Sequence, residues 1–171
     1  FSDNFLELAF VEVSSDGVHF FRFPSHSLTP TSSQTGSFDL LDARNINNLA
    51  GKYRGGFGTP FDLSELPDTS LLDKDSVRFV RVIDVVGSID PAIASYDSKG
   101  NAINDPFPTP FPSGGFDLDA ICVIESGWNS VAPPLNTSFK VYPNPAYSWQ
   151  SVMLSGVENI NKDAIRVYSL S

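Results

Sequence analysis

Proline and glycine interrupt this chain every few residues, with 13 Pro and 12 Gly among 171 positions. A helix interior tolerates neither well. The spacing therefore predicts short strands between many turns, not long helices. Fourteen Phe supply material for a core. No apolar run reaches the roughly 20 residues that a bilayer-spanning helix needs.

The first strand is expected over residues 5–13. Asp16-Gly17 and an apolar run over 18–23 follow, which reads as a hairpin. Residues 24–50 form a Ser/Thr/Asn/Pro-rich excursion with one helical turn near 44–50, and residues 52–60 a Gly-rich loop. Asp62 or Ser64 is placed to cap a short helix over 61–66. Residues 77–86 are the most β-branched run. Alternation puts Val80, Val82, Asp84 and Val86 on one face and Phe79, Arg81, Ile83 and Val85 on the other. A second excursion covers 87–115, with a small hairpin at 96–103, and a further strand covers 116–124. The fold class expected is all-β: a jelly-roll-like antiparallel β-sandwich over 1–127. Four or five strands are visible there against the eight of a full jelly roll, so further strands are expected before Phe1. Residues 128–137, with Pro133-Pro134, read as a linker, and 138–171 as a second small β unit that does not share the first core. Charge follows the same division. Residues 1–127 hold 18 acidic and 8 basic residues, whereas 128–171 hold 2 and 3. The net charge of −9 repels phosphate backbones, so nucleic acid is not an expected partner.

Asp117 and Asp119 fall two residues apart in a strand and so share a face. Two such carboxylates can share a hard cation such as Ca²⁺, with Asp84 from the other strong strand beside them. The competing reading pairs them with Arg54, Arg78 or Arg81, or leaves them at a solvated sheet end. Asp84, inside Val-Ile-Asp-Val-Val, needs a cation, an arginine or backbone donors wherever it is buried. Residues 97–105 depart from an EF-hand loop, since Lys99 stands where an acid belongs, and a hairpin turn is the better reading. Residues 52–59 lack the Gly-Lys-Ser/Thr ending of a phosphate loop. Within them Tyr53, Arg54 and Phe57 are residue types that can hold a sugar or a protein partner, or that can simply pack over the sandwich edge. His19 and His26 form no metal-ligand spacing, and no Gly-x-Ser-x-Gly elbow occurs. Cys122, the one cysteine, lies in an apolar run and is expected to be a buried, inert thiol. Nothing in this inventory assembles a catalytic set, so an enzyme is not expected.

The run Phe-Lys-Val-Tyr-Pro-Asn-Pro at 139–145 follows the linker and precedes further strand-like sequence ending near 170. It resembles the opening of the type A sorting domain carried by cargo of the Bacteroidota type IX secretion system. Val141, Tyr142, Pro143, Asn144 and Pro145 match that motif. The phrases at 10–20, 49–63, 80–85 and 114–121 resemble a group of secreted bacterial cell-surface proteins with such a C-terminal domain. The resemblance implies an exported protein, secreted or held at the outer face of the outer membrane. Its partners would be the type IX translocon and shuttle proteins, and its sorting domain would continue past Ser171. The alternative is a glycan- or nutrient-binding accessory module beside an outer-membrane receptor, with its long loops as the binding face.

Overall fold

A computed structural model describes residues 6–53, 57–109, 115–124, 140–142, 151–155 and 164–169, the last three as backbone ladders. The described residues contain ten strands and three single 3₁₀ turns, and no α-helix. In chain order the strands are β1 (Ala9–Ser14), β2 (Phe21–Arg22), β3 (His26–Ser27), β4 (Ile46–Asn47), β5 (Thr59–Asp62), β6 (Phe79–Asp84), β7 (Leu118–Ile124), β8 (Lys140–Tyr142), β9 (Ser151–Ser155) and β10 (Ala164–Ser169). All pairings are antiparallel. One sheet has the order β2-β1-β6-β9-β8, a second β5-β10-β7, and a third pairs β3 with β4.

β1 organises the core because both of its faces are apolar. Ala9, Val11 and Val13 enter one buried cluster, together with Val80 and Val82 of β6, Phe61 of β5 and Ile121 of β7. Leu8 and Phe10 enter a second cluster with Leu41, Ile46, Leu49, Val85 and Ile103. The period-two alternation of a strand makes this division, since successive side chains point to opposite faces. The first cluster draws on both larger sheets. The second is closed by the two excursions, which the sequence reading treats as loops but which bring Leu41, Leu49 and Ile103 into a buried layer.

The β1–β2 hairpin forms as expected, with Glu12 opposite Arg22 and Val13 opposite Phe21. Its connection is held by Asp16, whose Oδ1 accepts from the N–H of Val18 (2.8 Å) and of His19 (2.9 Å). β1 buries Glu12, and two arginines compensate it: Arg22 Nε donates at 2.8 Å and Arg81 Nε at 2.7 Å. Both guanidiniums lie over rings as well, Arg22 over Phe10 and Arg81 over Phe20.

Residues 59–66 depart from expectation. Thr59–Asp62 is a strand, and only Leu63–Glu65 turns, as a 3₁₀ turn capped by Asp62 accepting from Ser64 N–H at 2.8 Å. Pro60 is accommodated because, among the described residues, β5 is the edge of its sheet and pairs only with β10. The larger difference concerns the division at 128–137, which itself lies outside the described residues. The ladders run across it: β9 pairs with β6, and β10 lies between β5 and β7. These strands extend the sheets formed by residues 1–127 instead of pairing only among themselves.

Candidate functional site

β1 enters the fold through Leu6, Glu7 and Leu8, beside the end of β6. Ala9 stands opposite Asp84, and Val85 N–H donates to the Leu8 carbonyl at 3.0 Å. The loop after β6 returns to the same place. Asp105 N–H donates to the Gly87 carbonyl at 3.2 Å, and Asp105 Oδ2 accepts from Leu8 N–H at 3.1 Å. The turn into β7 closes the group, with Phe116 N–H donating to Asp84 Oδ1 at 3.1 Å. Gly115 makes that approach (φ +114°): a Cβ there would stand 2.5 Å from Asp84 Oδ2.

Four segments thus deliver Glu7, Asp84, Asp105 and Asp117 to one region. Asp105 is 5% exposed. Burial pushes its carboxyl well above the ordinary range against the pull of Leu8 N–H, and the charges of Asp84 and Glu7 push it further. Burial also raises Asp84, opposed by the N–H groups of Phe116 and Val85 and assisted by Asp117. Glu7 is raised by burial and by Asp117, with Gly115 N–H opposing and Asp84 adding. Asp84 therefore meets backbone donors, one of the three partners the sequence requires of it. Arg81 is engaged with Glu12, and Arg54 lies outside the described residues. Asp117 precedes β7 instead of lying in it, and Asp119 is exposed on β7 and is not among the carboxylates acting on this group. Sequence reasoning missed Glu7 and Asp105. Among the described residues no group of three or more Asp, Glu, His or Cys side chains could hold a metal ion.

A second polar centre joins the two excursions. Asp97 accepts from Lys99 N–H (2.9 Å) and Asn101 N–H (2.8 Å) on Oδ1. On Oδ2 it accepts from Ser27 N–H (3.0 Å) and Asn101 Nδ2 (3.0 Å), and it meets His26 Nδ1 at 2.9 Å. Tyr96 and Ala102 bridge behind this turn, so the expected small hairpin is present.

Tyr53 stands 39% exposed beside a cavity of about 430 Å³. Asn47, Asn48, Lys52, Asp62 and Glu65 also line it, along with Thr59, whose buried hydroxyl has no partner among the described residues. Phe57 is exposed but is not part of that wall, and Arg54 lies outside the described residues. Cys122 is only half-buried, because the side chains over 121–124 of β7 are not enclosed beyond Ile121. Of the sorting motif, Val141 and Tyr142 lie in β8 at the outer edge of the five-stranded sheet, and Pro143, Asn144 and Pro145 lie outside the described residues. Comparison with family models, with curated proteins and with solved structures gives no match.

Proposed function

We propose that this chain is an exported, non-enzymatic cell-surface protein, type IX secretion cargo whose segment at 141–145 belongs to the sorting signal. The observation that carries the reading is the position of β8. Among the described residues it is the edge strand of its sheet, and Tyr142, its last residue, precedes Pro143. The prolines on either side of Asn144 lack the N–H that an edge strand would need to pair further. The finer fold in this reading is a jelly-roll-like sandwich, supported by the one buried cluster to which β1, β6, β5 and β7 all contribute. The test expresses the full-length gene in a type IX-competent host with the region from Asn136 onward deleted. A second variant changes only Pro143, Asn144 and Pro145 to Ala, with circular dichroism to establish that it folds. Both should be withheld from the cell surface in whole-cell protease shaving. Normal surface arrival of either one sinks the reading.

The cavity beside Tyr53 favours a second reading, a glycan-binding accessory module. An exposed aromatic face and polar amide and carboxylate side chains suit a sugar's apolar face and hydroxyls. Glycan-array binding that is lost when Tyr53, Arg54 and Phe57 are changed supports it. The absence of any binding leaves the cargo reading alone.

A further inference from the structure

Asn104 is 1% exposed and commits its whole side chain to one loop of the first excursion. Its Nδ2 donates to the carbonyls of Pro30 (2.7 Å) and Ser33 (2.8 Å), and its Oδ1 accepts from Thr35 N–H (2.9 Å). Gln34 ties the same loop to the second excursion. Its Nε2 donates to the Gly87 carbonyl at 2.9 Å, and its Oε1 accepts from Ile89 N–H at 2.9 Å. The loop so fixed borders a cavity of about 520 Å³, which Ser33, Thr35, Asp39, Leu40, Asp42 and Asn45 line. The clamp uses the backbone of Pro30, Ser33 and Thr35 and spares the side chains of the last two. Among the described residues the Ser33 and Thr35 hydroxyls and the Asn45 amide make no hydrogen bond, and Asp39 uses Oδ2 alone, for Gly36 N–H at 2.7 Å. The cavity beside Tyr53 differs in this respect. There Asn48 Nδ2 is committed to the Pro24 carbonyl and to Glu65, Asp62 caps Ser64, and Lys52 Nζ lies 5.3 Å from the centre of the Tyr53 ring. A ligand at Tyr53 has to displace bonds that the fold already makes, whereas one beside Thr35 meets groups that are rigidly placed and unspent.

We propose that the cavity lined by Ser33, Thr35, Asp39 and Asn45, and not the one beside Tyr53, is the saccharide site of this chain, and that it takes a neutral sugar. The proposal rests on the glycan-binding reading and gives it a different site and a ligand class. Sugar hydroxyls donate and accept at once, which suits a wall of hydroxyls, an amide and a carboxylate oxygen. A hydroxyl that donates to Asp39 makes a charge-assisted bond, stronger than one between neutral groups. Leu40, 59% exposed, offers an apolar surface to the C–H face of a sugar ring. Charge sets the class of sugar. Asp39 and Asp42 line the cavity and, among the described residues, no Lys, Arg or His does, so an acidic sugar meets repulsion without compensation. Preorganisation reduces the ordering cost of binding, because the loop is already clamped by Asn104 and Gln34.

The test titrates the full chain by calorimetry with D-galactose, D-glucose, D-mannose and disaccharides of these, and with the corresponding uronic acids as anionic counterparts. At least one neutral sugar should bind, with its uronic acid at least about tenfold weaker. Thr35→Val combined with Asn45→Ala removes two hydrogen-bonding groups and should weaken binding at least about tenfold, whereas Tyr53→Ala should leave it within about twofold. Circular dichroism establishes that each variant folds. If the double variant does not, Ser33→Trp, at an exposed position, fills the cavity and should abolish binding instead. No neutral sugar bound at about 10 mM overturns the proposal and the glycan-binding reading together. Binding that survives in the folded double variant and is lost in Tyr53→Ala overturns the proposal alone, since the module then holds its sugar at the other cavity. Equal affinity for the uronic acid overturns it as well, because the two aspartates would then not face the ligand.

Discussion

Asp97→Asn is the sharpest test of how the two long excursions are held together. The Asp97 side chain is fully buried and receives five polar contacts, at 2.8–3.0 Å, from three backbone N–H groups, Asn101 Nδ2 and His26. An amide of the same shape keeps one acceptor oxygen and turns an NH₂ toward donors. It therefore loses two contacts in one orientation and three in the other. Hydrogen bonds to a charged group are worth about 1.5–3 kcal/mol each, and a buried donor left unpaired costs about 1–3 kcal/mol. His26 is partly exposed and recovers water, so the expected loss is about 3–5 kcal/mol at pH 7. The pH dependence has a definite sign. Burial tends to raise the Asp97 carboxyl, but the Ser27 N–H, the Asn101 side chain and N–H, and His26 outweigh it and hold the carboxyl well below its ordinary value. A depressed carboxyl stabilises the fold above the unfolded-state pKa of about 3.9, and the contribution fades as pH falls below that. Urea unfolding followed by circular dichroism at pH 7, 5 and 3 should show a gap between wild type and variant that is full at pH 7 and 5 and narrows at pH 3. A gap under about 1 kcal/mol at pH 7, or one that acid does not narrow, would refute the reasoning.

Four further outcomes are expected. Phe61→Ala, at a fully buried ring 5.1 Å from Phe23, should lower unfolding free energy by about 3–5 kcal/mol in the same assay. Gly51→Ala should cost more than the ~1–2 kcal/mol of a left-handed residue, because φ is +77° and the new Cβ would collide with the Glu7 carbonyl oxygen beside the Ala9–Ala50 bridge; loss of soluble folded protein is the readout. Cleavage at a protease site engineered into 128–137 should leave the C-terminal peptide bound through gel filtration, since β9 and β10 pair with β5, β6 and β7; a peptide that elutes alone would restore the division drawn from charge. Val167→Pro, opposite Thr59 on one side and Ile121 on the other, should cost about 3 kcal/mol or more by breaking a central ladder, measured by urea unfolding.

The parts legible in the sequence are those fixed by near neighbours. β6 shows as a β-branched run, the β1–β2 hairpin as Ser-Ser-Asp-Gly between apolar runs, and Asp62 as a cap. β5 was hidden because Pro60 argues against a strand, and the edge position that tolerates it depends on β10, about a hundred residues away. β3 and β4 are two residues each, too short for a period, and only the buried Ile46 and Leu49 betray the layer they support. The acidic group was legible in part. Asp84 announced itself as an acid in an apolar strand. Glu7 and Asp105 carried no local signal, because what defines them is the meeting of the β1 entrance with the loop that follows β6. Asp119 was grouped with Asp117 by alternation, a rule that does not reach Asp117 because the strand begins at Leu118.

The charge balance changes at residue 128, yet the ladders β9–β6, β10–β5 and β10–β7 run across that position. A segment with few charges is suited to lie between two strands, and Ala-Ile-Arg-Val-Tyr-Ser of β10 does so, bridging β5 and β7, which do not pair with each other. That placement divides the C-terminal segment into two physical roles. β10 cannot leave without opening both ladders of its sheet, so it belongs to the stability of the whole chain. Among the described residues β8, three residues long, pairs on one side only, with β9. A receptor that reads 141–145 would need only the side of β8 away from β9 and the residues that follow it. Under the proposed export function, recognition and folding therefore fall on different strands of one segment. Changes confined to 143–145 can block passage while leaving the sheets intact, whereas changes in β10 reach export only by first unfolding the cargo.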